Sequence, residues 1–485
     1  MNNTLLNKEE LLSAVNGIQI GSSGCIFTNV ETDSRNVKEN TMFVPLVGEF
    51  QDGHKYIPSA LEKGASVVLL NKAENEKNSS VYAKLAKENP SVMFVCVDNT
   101  LTGLQKAAEA YVTKKCQNMI KVSITGSCGK TTTKEMMVSV AKAHFGDNAV
   151  AYTKGNFNSE TGLPLSVFKI RGDEKIGIFE MGMNRVNEIG EISSVFKSKY
   201  GIITNIGTAH IGILGSRENI AAEKRKSLDY VPADGAVCVP FIDDFADYCT
   251  ENVAGKVIKF GEGVDASVSG VKFIADNGLF GTKFTVDGVE VNLPLSGKYN
   301  FQNACGVIAM AKELGIPADE IKSGLENMSA VSGRMEVKKM TLNSNKTVVI
   351  VNDCYNANPD SMTKVIGFVE DLDSKKGRKI LVLADMKELG NESEKAHRLV
   401  GKTAAMSSAD HVILIGSDMA FAAQEFEKTG NNKFEYFNDN SKENFEKISE
   451  YINSSCCDDD VILFKGSNSM GLFRIIDLLG SKEEK

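Results

Sequence analysis

One string in this chain joins residue type and spacing in a way that prescribes chemistry: Thr125-Gly126-Ser127-Cys128-Gly129-Lys130-Thr131-Thr132. Glycines let a backbone turn several N–H groups toward one anion, and a helix starting at that point adds partial positive charge. Lys130 can reach the terminal phosphates of a nucleoside triphosphate such as ATP, and the Thr131 hydroxyl can ligate Mg2+. The string is a shortened G-x-x-G-K-T, with Ile124 where the longer phosphate-loop motif carries its first glycine. An ordinary glycine-rich strand-to-helix turn is the plain alternative. The flanking β-rich and helical sequence and the Thr-Thr-Thr run favour nucleotide binding.

Other residues could serve the same chemistry. Glu180 ends the apolar run GIFEMG, and a carboxylate at the carboxyl end of a parallel strand lies at the usual ligand crevice. A strand-end glutamate facing water is the simpler account. His210, one of only five histidines, follows GIITN in a loop that suits a metal ligand, although a lone histidine is more often structural. Lys224, beside Arg225 and Lys226, reads by itself as a surface lysine on a helix. Asn303 and Asn300 can pair with the edge of a base or cap a helix. Asp353, in NDCYNANP, fits a turn built from Asp, Asn and Pro.

These residues need a scaffold. From Ile120 the pattern is strand then helix: KVSIT, a glycine turn, then a helix from Lys130 to about His144. Further strands are expected at Ile176–Glu180, 201–205 and Ala236–Pro240, and such alternation predicts a mostly parallel, doubly wound sheet. Asp287-Gly288 between alternating residues predicts a hairpin. Before it, runs at 42–47, 67–70 and 92–97, with a helix at 57–63 and another at about 102–115, predict a small α/β domain. After it, strands at 348–351, 380–383, 412–415 and 461–464 predict a second parallel α/β sheet. The expected fold class is therefore α/β in three domains: a small N-terminal domain over 1–100 with a connecting helix over 101–118, a central phosphate-loop domain over 119–331, and a C-terminal Rossmann-like domain over 332–485. The tail GSKEEK is expected to fray.

Composition excludes several classes. The 485 residues hold 42% hydrophobic and 24% charged side chains, ordinary globular usage. Lysine and arginine total 55 against 63 acidic residues, a net charge of −8 without a basic stripe, so a dedicated nucleic-acid or anionic-membrane binder is not expected. No run of about 18 apolar residues occurs to span a membrane, and the start MNNTLLNKEELLSAV lacks the basic and apolar regions of a secretory signal. Ten cysteines without a C-x-x-C pair predict neither a disulfide framework nor a zinc ribbon. Cys456 and Cys457 read as packing or surface thiols, and a reduced cytoplasmic protein is expected.

Longer strings carry a resemblance. TGSCGKTTTKE, GNFNSETGLPLSVF, FEMGMNRVNEIGEI, TNIGTAHIGILGSRENIAAEK and GKYNFQNACG stand in the order expected of the Mur ligase family, which the chain resembles from roughly Glu31 to Phe473. DCYNANPDSM and ADMKELG are most similar to the branch that joins D-alanyl-D-alanine to UDP-MurNAc-tripeptide for bacterial peptidoglycan. The resemblance implies an ATP-dependent amide ligase, monomeric and cytoplasmic, using ATP and two Mg2+ ions. ATP would phosphorylate the tripeptide carboxylate, and the dipeptide amine would attack the acyl phosphate.

The same resemblance implies roles. Lys130, Glu180, His210 and Lys224 would form the catalytic set. Thr131, Glu180, His210 and a carbamylated Lys224 would hold metal. Asn303, assisted by Asn300, would lie near the adenine, Arg334 would meet the nucleotide across the domain cleft, and Asp353 would contact the ribose. Asn356 and Asn358 would face the dipeptide. Ser34 and Arg35, in a Thr32-Asp33-Ser34-Arg35 string, and Gly48, Asp52 and His54 would bind the uridine nucleotide substrate. Asn156, Asn158 and Thr161 would line the central substrate site. The chain departs from the family pattern at Ser159 and Thr161, where Asn and Ile are usual, and at Ala384, where Gly is usual.

The rivals at this level are a Mur-type ligase adding a single amino acid, a folylpolyglutamate-synthase-like ligase, a phosphate-loop NTPase coupled to a partner, and an inactive nucleotide-binding scaffold, against which the intact Lys130, Thr131, Glu180 and His210 argue. The third residue of the tripeptide and the general base are not legible.

Overall fold

The structure, a computed structural model, describes residues 4–21, 24–329, 331–372 and 377–480. Of the tail GSKEEK, expected to fray, residues 481–485 lie outside the described residues. Three α/β units follow one another along the chain.

The first is a five-stranded sheet in the order Ile18–Ile20, Met93–Val97, Ala65–Asn71, Thr41–Phe43, Asn29–Glu31. All neighbours are parallel except Ile18–Ile20, which runs antiparallel to Met93–Val97. Ala65–Asn71 reads ASVVLLN and is buried on both faces, as expected of an inner parallel strand.

In the second unit six strands, all parallel, stand in the order Lys256–Phe260, Ala236–Pro240, Tyr200–Ile203, Ile120–Thr125, Ile176–Glu180, Val150–Tyr152. After Ile120–Thr125 the chain crosses to the edge at Val150–Tyr152, fills the gap with Ile176–Glu180, then adds Tyr200–Ile203 on the other side of Ile120–Thr125. That reversal opens a crevice at the carboxyl ends of three strands, where Thr125, Glu180 and Ile203 finish. The expected hairpin forms between Thr282–Val286 and Val289–Leu293, with positive φ at Asp287 and Gly288 as a two-residue turn of this hand requires. A third strand, Val271–Asp276, pairs with it.

The third unit orders its strands Glu336–Thr341, Thr347–Asp353, Val461–Lys465, Lys379–Ala384, His411–Ile415, Phe434–Phe437. The four expected strands are the inner ones. The sequence marks neither edge, because EVKKMT and FEYF are half-buried and lack an apolar run.

The units are joined unequally. Helix Thr100–Lys115, capped by Asn99, buries Leu104, Ala107, Ala108, Tyr111 and Val112 in a core that also contains Val67 and Leu69 of the first sheet and Phe168, Phe179 and Phe196 of the second unit. Its spacing of three and four residues gives one apolar stripe. The third unit keeps its own cores, against which, among the described residues, the second unit places the partly buried Ile211, Leu279 and Tyr299. All ten cysteines are free; Cys456 is buried and Cys457 exposed. Among the described residues no helix is long and apolar enough to cross a membrane.

Candidate active site

A cleft of about 1510 Å3 lies between the second and third units, lined by the phosphate loop, the ends of the central strands, helix Lys298–Glu313 and the loop after Thr347–Asp353. Helix Lys130–Phe145 starts in its floor without a side-chain cap, so its first N–H groups and its dipole are free for an anion. Gly126 and Gly129 have φ of 150° and 81°. A Cβ on Gly129 would stand 2.6 Å from Asn303 Oδ1, and one on Gly126 1.9 Å from Thr204 Oγ1. Both glycines are demanded by backbone conformation and by close approach together.

Around the loop the chemistry-bearing residues converge. Lys130 Nζ donates to Gly126 O at 2.8 Å, and burial lowers its ammonium below the usual lysine value, against the opposing pull of Glu180. Thr131 Oγ1 donates to Glu180 Oε2 at 2.8 Å, and Asn158 Nδ2 to Glu180 Oε1 at 2.7 Å. Glu180 is 1% exposed, so the alternative of a water-facing strand end is gone. Cys128 N donates to Asn205 Oδ1 at 3.0 Å, and Ser127 Oγ accepts from Gly207 N at 2.9 Å.

His210 sits in left-handed backbone with φ 65°. Its Nδ1 lies 3.0 Å from Glu388 Oε2 of the third unit but off the line of a hydrogen bond, leaving that buried nitrogen unpaired. Burial lowers its pKa, more than Glu388 raises it, which favours the neutral ring. Lys224 is 1% exposed, in helix Arg217–Arg225. Burial, then the charge of Lys130, pushes its pKa well below the usual lysine value. Lys226, by contrast, is tied up with Glu223 and Asn187. Lys224 is therefore the buried lysine of the IAAEKRKSL string, though it stands behind the cleft wall rather than in it.

Beside the phosphate loop, against Gly129, Asn300 and Asn303 are buried one turn apart on helix Lys298–Glu313, whose N-cap is Gly297; neither is a helix cap. Arg334 stacks 4.2 Å over the Tyr355 ring. Asp353 accepts from Met335 N at 3.1 Å through Oδ1 and from Lys465 Nζ at 2.6 Å through Oδ2. Asn356 and Asn358 line the same cleft, and Asn358 Nδ2 donates to Cys128 Sγ at 3.1 Å.

Other expected residues lie outside it. Thr161 precedes helix Gly162–Val167 and does not line the cleft, whereas Asn156 and Asn158 do. Ser34 is buried and Arg35 is exposed and paired with Asp33. Asp52 accepts from His54 N at 2.9 Å and lies 2.5 Å from His54 Nδ1, while His54 Nε2 accepts from Asn71 N at 3.0 Å; Gly48 N closes the neighbouring turn onto Gln51 O. These residues are engaged in local structure of the first unit.

Sequence reasoning missed Lys465, Tyr299, Tyr355, Asp360 and Glu388, all of which line the cleft. For Lys465 a signal existed: it ends an apolar strand, as Glu180 does. That it faces Asp353 follows from strand pairing, which no local pattern reveals.

Among the described residues no three His, Cys, Asp or Glu side chains converge as a metal site. Mg2+ does not need one, since it is commonly held by one or two carboxylates together with phosphate oxygens and water. Glu180, Thr131 and the unpaired, neutral-favouring His210 Nδ1 fit such an ion.

A phosphate loop whose threonine meets a buried strand-end carboxylate, roofed by a second α/β unit, defines a multidomain phosphate-loop nucleotide-binding protein. The chain belongs to the Mur ligase family. The family's middle-domain model matches residues 124–311, its glutamate ligase domain 333–468 and its catalytic domain 26–117. The chain is 35% identical to UDP-N-acetylmuramoyl-tripeptide--D-alanyl-D-alanine ligase of Treponema pallidum, covering 98% of this chain and 99% of that protein. It is 33% identical to the protein of the same name from Bacillus subtilis, over 94% of each. A crystal structure of MurF from Acinetobacter baumannii matches with a TM-score of 0.80 at 26% identity, covering 97% of this chain and 98% of that one.

Proposed function

We propose that this chain joins D-alanyl-D-alanine to UDP-N-acetylmuramoyl-tripeptide at the expense of ATP, forming the pentapeptide precursor of peptidoglycan. The reading is carried by the cleft in which phosphate loop, Glu180, Asp353 and Arg334 face one space, in a chain similar along nearly its whole length to ligases of that name. The free state of all ten cysteines suits a cytoplasmic setting.

A carboxylate is a poor electrophile because it has no leaving group. In the first step the tripeptide carboxylate attacks the γ-phosphorus of ATP, the bond to the β–γ bridging oxygen breaks, and ADP departs. In the second the dipeptide amine adds to the acyl carbon, the carbon–oxygen bond to phosphate breaks, and the nitrogen gives up a proton. Both steps gather negative charge on oxygen. Lys130 supplies a mobile cation there, the loop N–H groups supply fixed donors, and Arg334 brings a second cation from the third unit. Asn300 and Asn303 offer amide edges to the adenine, Asp353 an acceptor to the ribose, and Asn356 and Asn358 polar groups toward the dipeptide. Thr131, Glu180 and His210 are the residues to hold Mg2+, which when bound neutralises phosphate oxygens. Lys224 would join them as a carbamate, for which its depressed pKa provides the neutral amine. Ser34, Arg35, Gly48, Asp52 and His54 belong to the surface for the uridine nucleotide.

The deciding experiment is phosphate release from ATP with UDP-MurNAc-tripeptide, with and without D-alanyl-D-alanine, with products identified by mass. Release dependent on both, with pentapeptide formed, supports the reading; release indifferent to the dipeptide overturns it. Depleting dissolved carbon dioxide should lower turnover, and a rate indifferent to it removes the carbamate.

A further inference from the structure

We infer that Asp360 is a positioning residue for this reaction: it clasps the C-terminal unit onto the 205–214 loop and thereby sets the geometry of the cleft. The kinetic part of this inference rests on the ligase reading; the geometric part does not.

The 205–214 loop is a junction. At its start it is bonded to the phosphate loop, with Ser127 N donating to Asn205 O at 2.9 Å, Cys128 N to Asn205 Oδ1 at 3.0 Å, and Gly207 N to Ser127 Oγ at 2.9 Å. At its middle it presents both donors of Thr208 to one carboxylate oxygen: Thr208 N and Oγ1 donate to Asp360 Oδ2 at 2.7 and 2.8 Å. Gly207 leaves room for this approach, because a Cβ there would stand 2.4 Å from the same oxygen. Beyond it, Gly212 packs on the backbone of Leu389 and Gly390, where a Cβ would lie 2.5 Å from each.

Asp360 belongs to the first turn of helix Pro359–Asp371, where the helix dipole favours a negative charge. Hydrogen bonds to a charged acceptor are roughly twice as strong as neutral ones. Among the described residues the second unit packs Ile211, Leu279 and Tyr299, all partly buried, on the third unit's core, so a charge-assisted pair of bonds has leverage over their docking. The same helix is capped by Asn358, which touches Cys128, and its rigidity carries the position of Asp360 to the Asp353–Asn358 loop. Asp360 thus acts on the reaction through Thr208 and the docking of the third unit.

The test compares wild type, Asp360→Ala, Thr208→Val and the double variant. Each is studied by small-angle scattering with Mg2+ and a non-hydrolysable ATP analogue, and by steady-state kinetics with the dipeptide varied. Asp360→Ala is expected to give larger dimensions, a raised dipeptide KM and a lowered kcat, the combined loss in kcat/KM being about tenfold to a hundredfold. Thr208→Val keeps the backbone donor and should lose less, and in the double variant it should add nothing further. Asp360→Asn, whose amide oxygen still accepts, should recover part of the loss. Equal dimensions across the four proteins, or losses that add in the double variant, would overturn the clasp. Should Asp360→Ala not fold, Asp360→Asn paired with Thr208→Val decides by the same additivity. A wild type that forms no pentapeptide would remove the ligase reading, and scattering would then decide the clasp alone.

Discussion

Thr131 Oγ1 donates to Glu180 Oε2 at 2.8 Å across a sequence separation of 49 residues. The contact joins the first turn of the phosphate-loop helix to the end of the neighbouring strand, and Asn158 Nδ2 occupies the other carboxylate oxygen at 2.7 Å. Glu180→Gln offers one acceptor where the buried Thr131 hydroxyl and the half-buried Asn158 amide now use two, a loss of about 1 kcal/mol. Loss of the negative charge at the proposed Mg2+ site should lower turnover by at least about a hundredfold. Urea unfolding and phosphate release across a Mg2+ titration check both parts. Near-normal turnover at low Mg2+ would take Glu180 out of the reaction.

Lys465 and Asp353 are register partners on adjoining parallel strands, and their side chains pair at 2.6 Å with the lysine only 2% exposed. Nζ also donates to Asn356 O at 3.1 Å, so one ammonium holds the turn that carries Asp353, the aspartate proposed to meet the ribose. Lys465→Met strands a partly buried carboxylate and should cost on the order of 3 kcal/mol. It should also raise the KM for ATP more than that for UDP-MurNAc-tripeptide. A variant destabilised without any change in the ATP KM would argue that Asp353 does not meet the nucleotide.

Local order was legible, and long-range pairing was not. Ile176–Glu180, Ala236–Pro240 and the inner strands of the third unit are short apolar runs bounded by turn residues, and they stand where those runs do. The phosphate loop was readable because its glycines, lysine and threonines are contiguous. Glu180 was readable because a strand end projects it. The partners that finish the site come from elsewhere: Lys465 through strand register, Asp360 and Glu388 through docking of a separate unit, Tyr355 through its stacking with Arg334. Edge strands such as Glu336–Thr341 failed for a different reason, since a strand that pairs on one side and faces water needs no apolar run.

Cys128 is the half-buried thiol inside the phosphate loop, in contact with Asn358 of the third unit. Seven of the other cysteines are buried, and Cys96 and Cys457 lie outside the cleft. A bulky adduct on Cys128 would fill the anion site and hold the third unit away. Treatment with N-ethylmaleimide should therefore abolish turnover of the wild type, with ATP and Mg2+ slowing the loss. Cys128→Ser should keep most of the activity and resist the reagent. Equal inactivation of Cys128→Ser would place the sensitive thiol elsewhere.

His397 is fully buried under the loop that carries Glu388. Its Nε2 accepts from Met386 N at 3.0 Å, and its Nδ1 donates to Ser393 O at 2.7 Å, an arrangement that requires the neutral ring. Burial accordingly lowers its pKa from the ordinary 6.5. Below the unfolded value the unfolded chain binds the proton first, so the contribution of His397 is complete above that value and is lost as pH falls toward the folded one. His397→Ala leaves Met386 N unpaired and opens a cavity, for a loss on the order of 2–3 kcal/mol near neutral pH. That loss should shrink toward about pH 5.5. Urea midpoints of wild type and variant at the two pH values measure it, and a difference that stays constant with pH would mean that the ring does not titrate with folding.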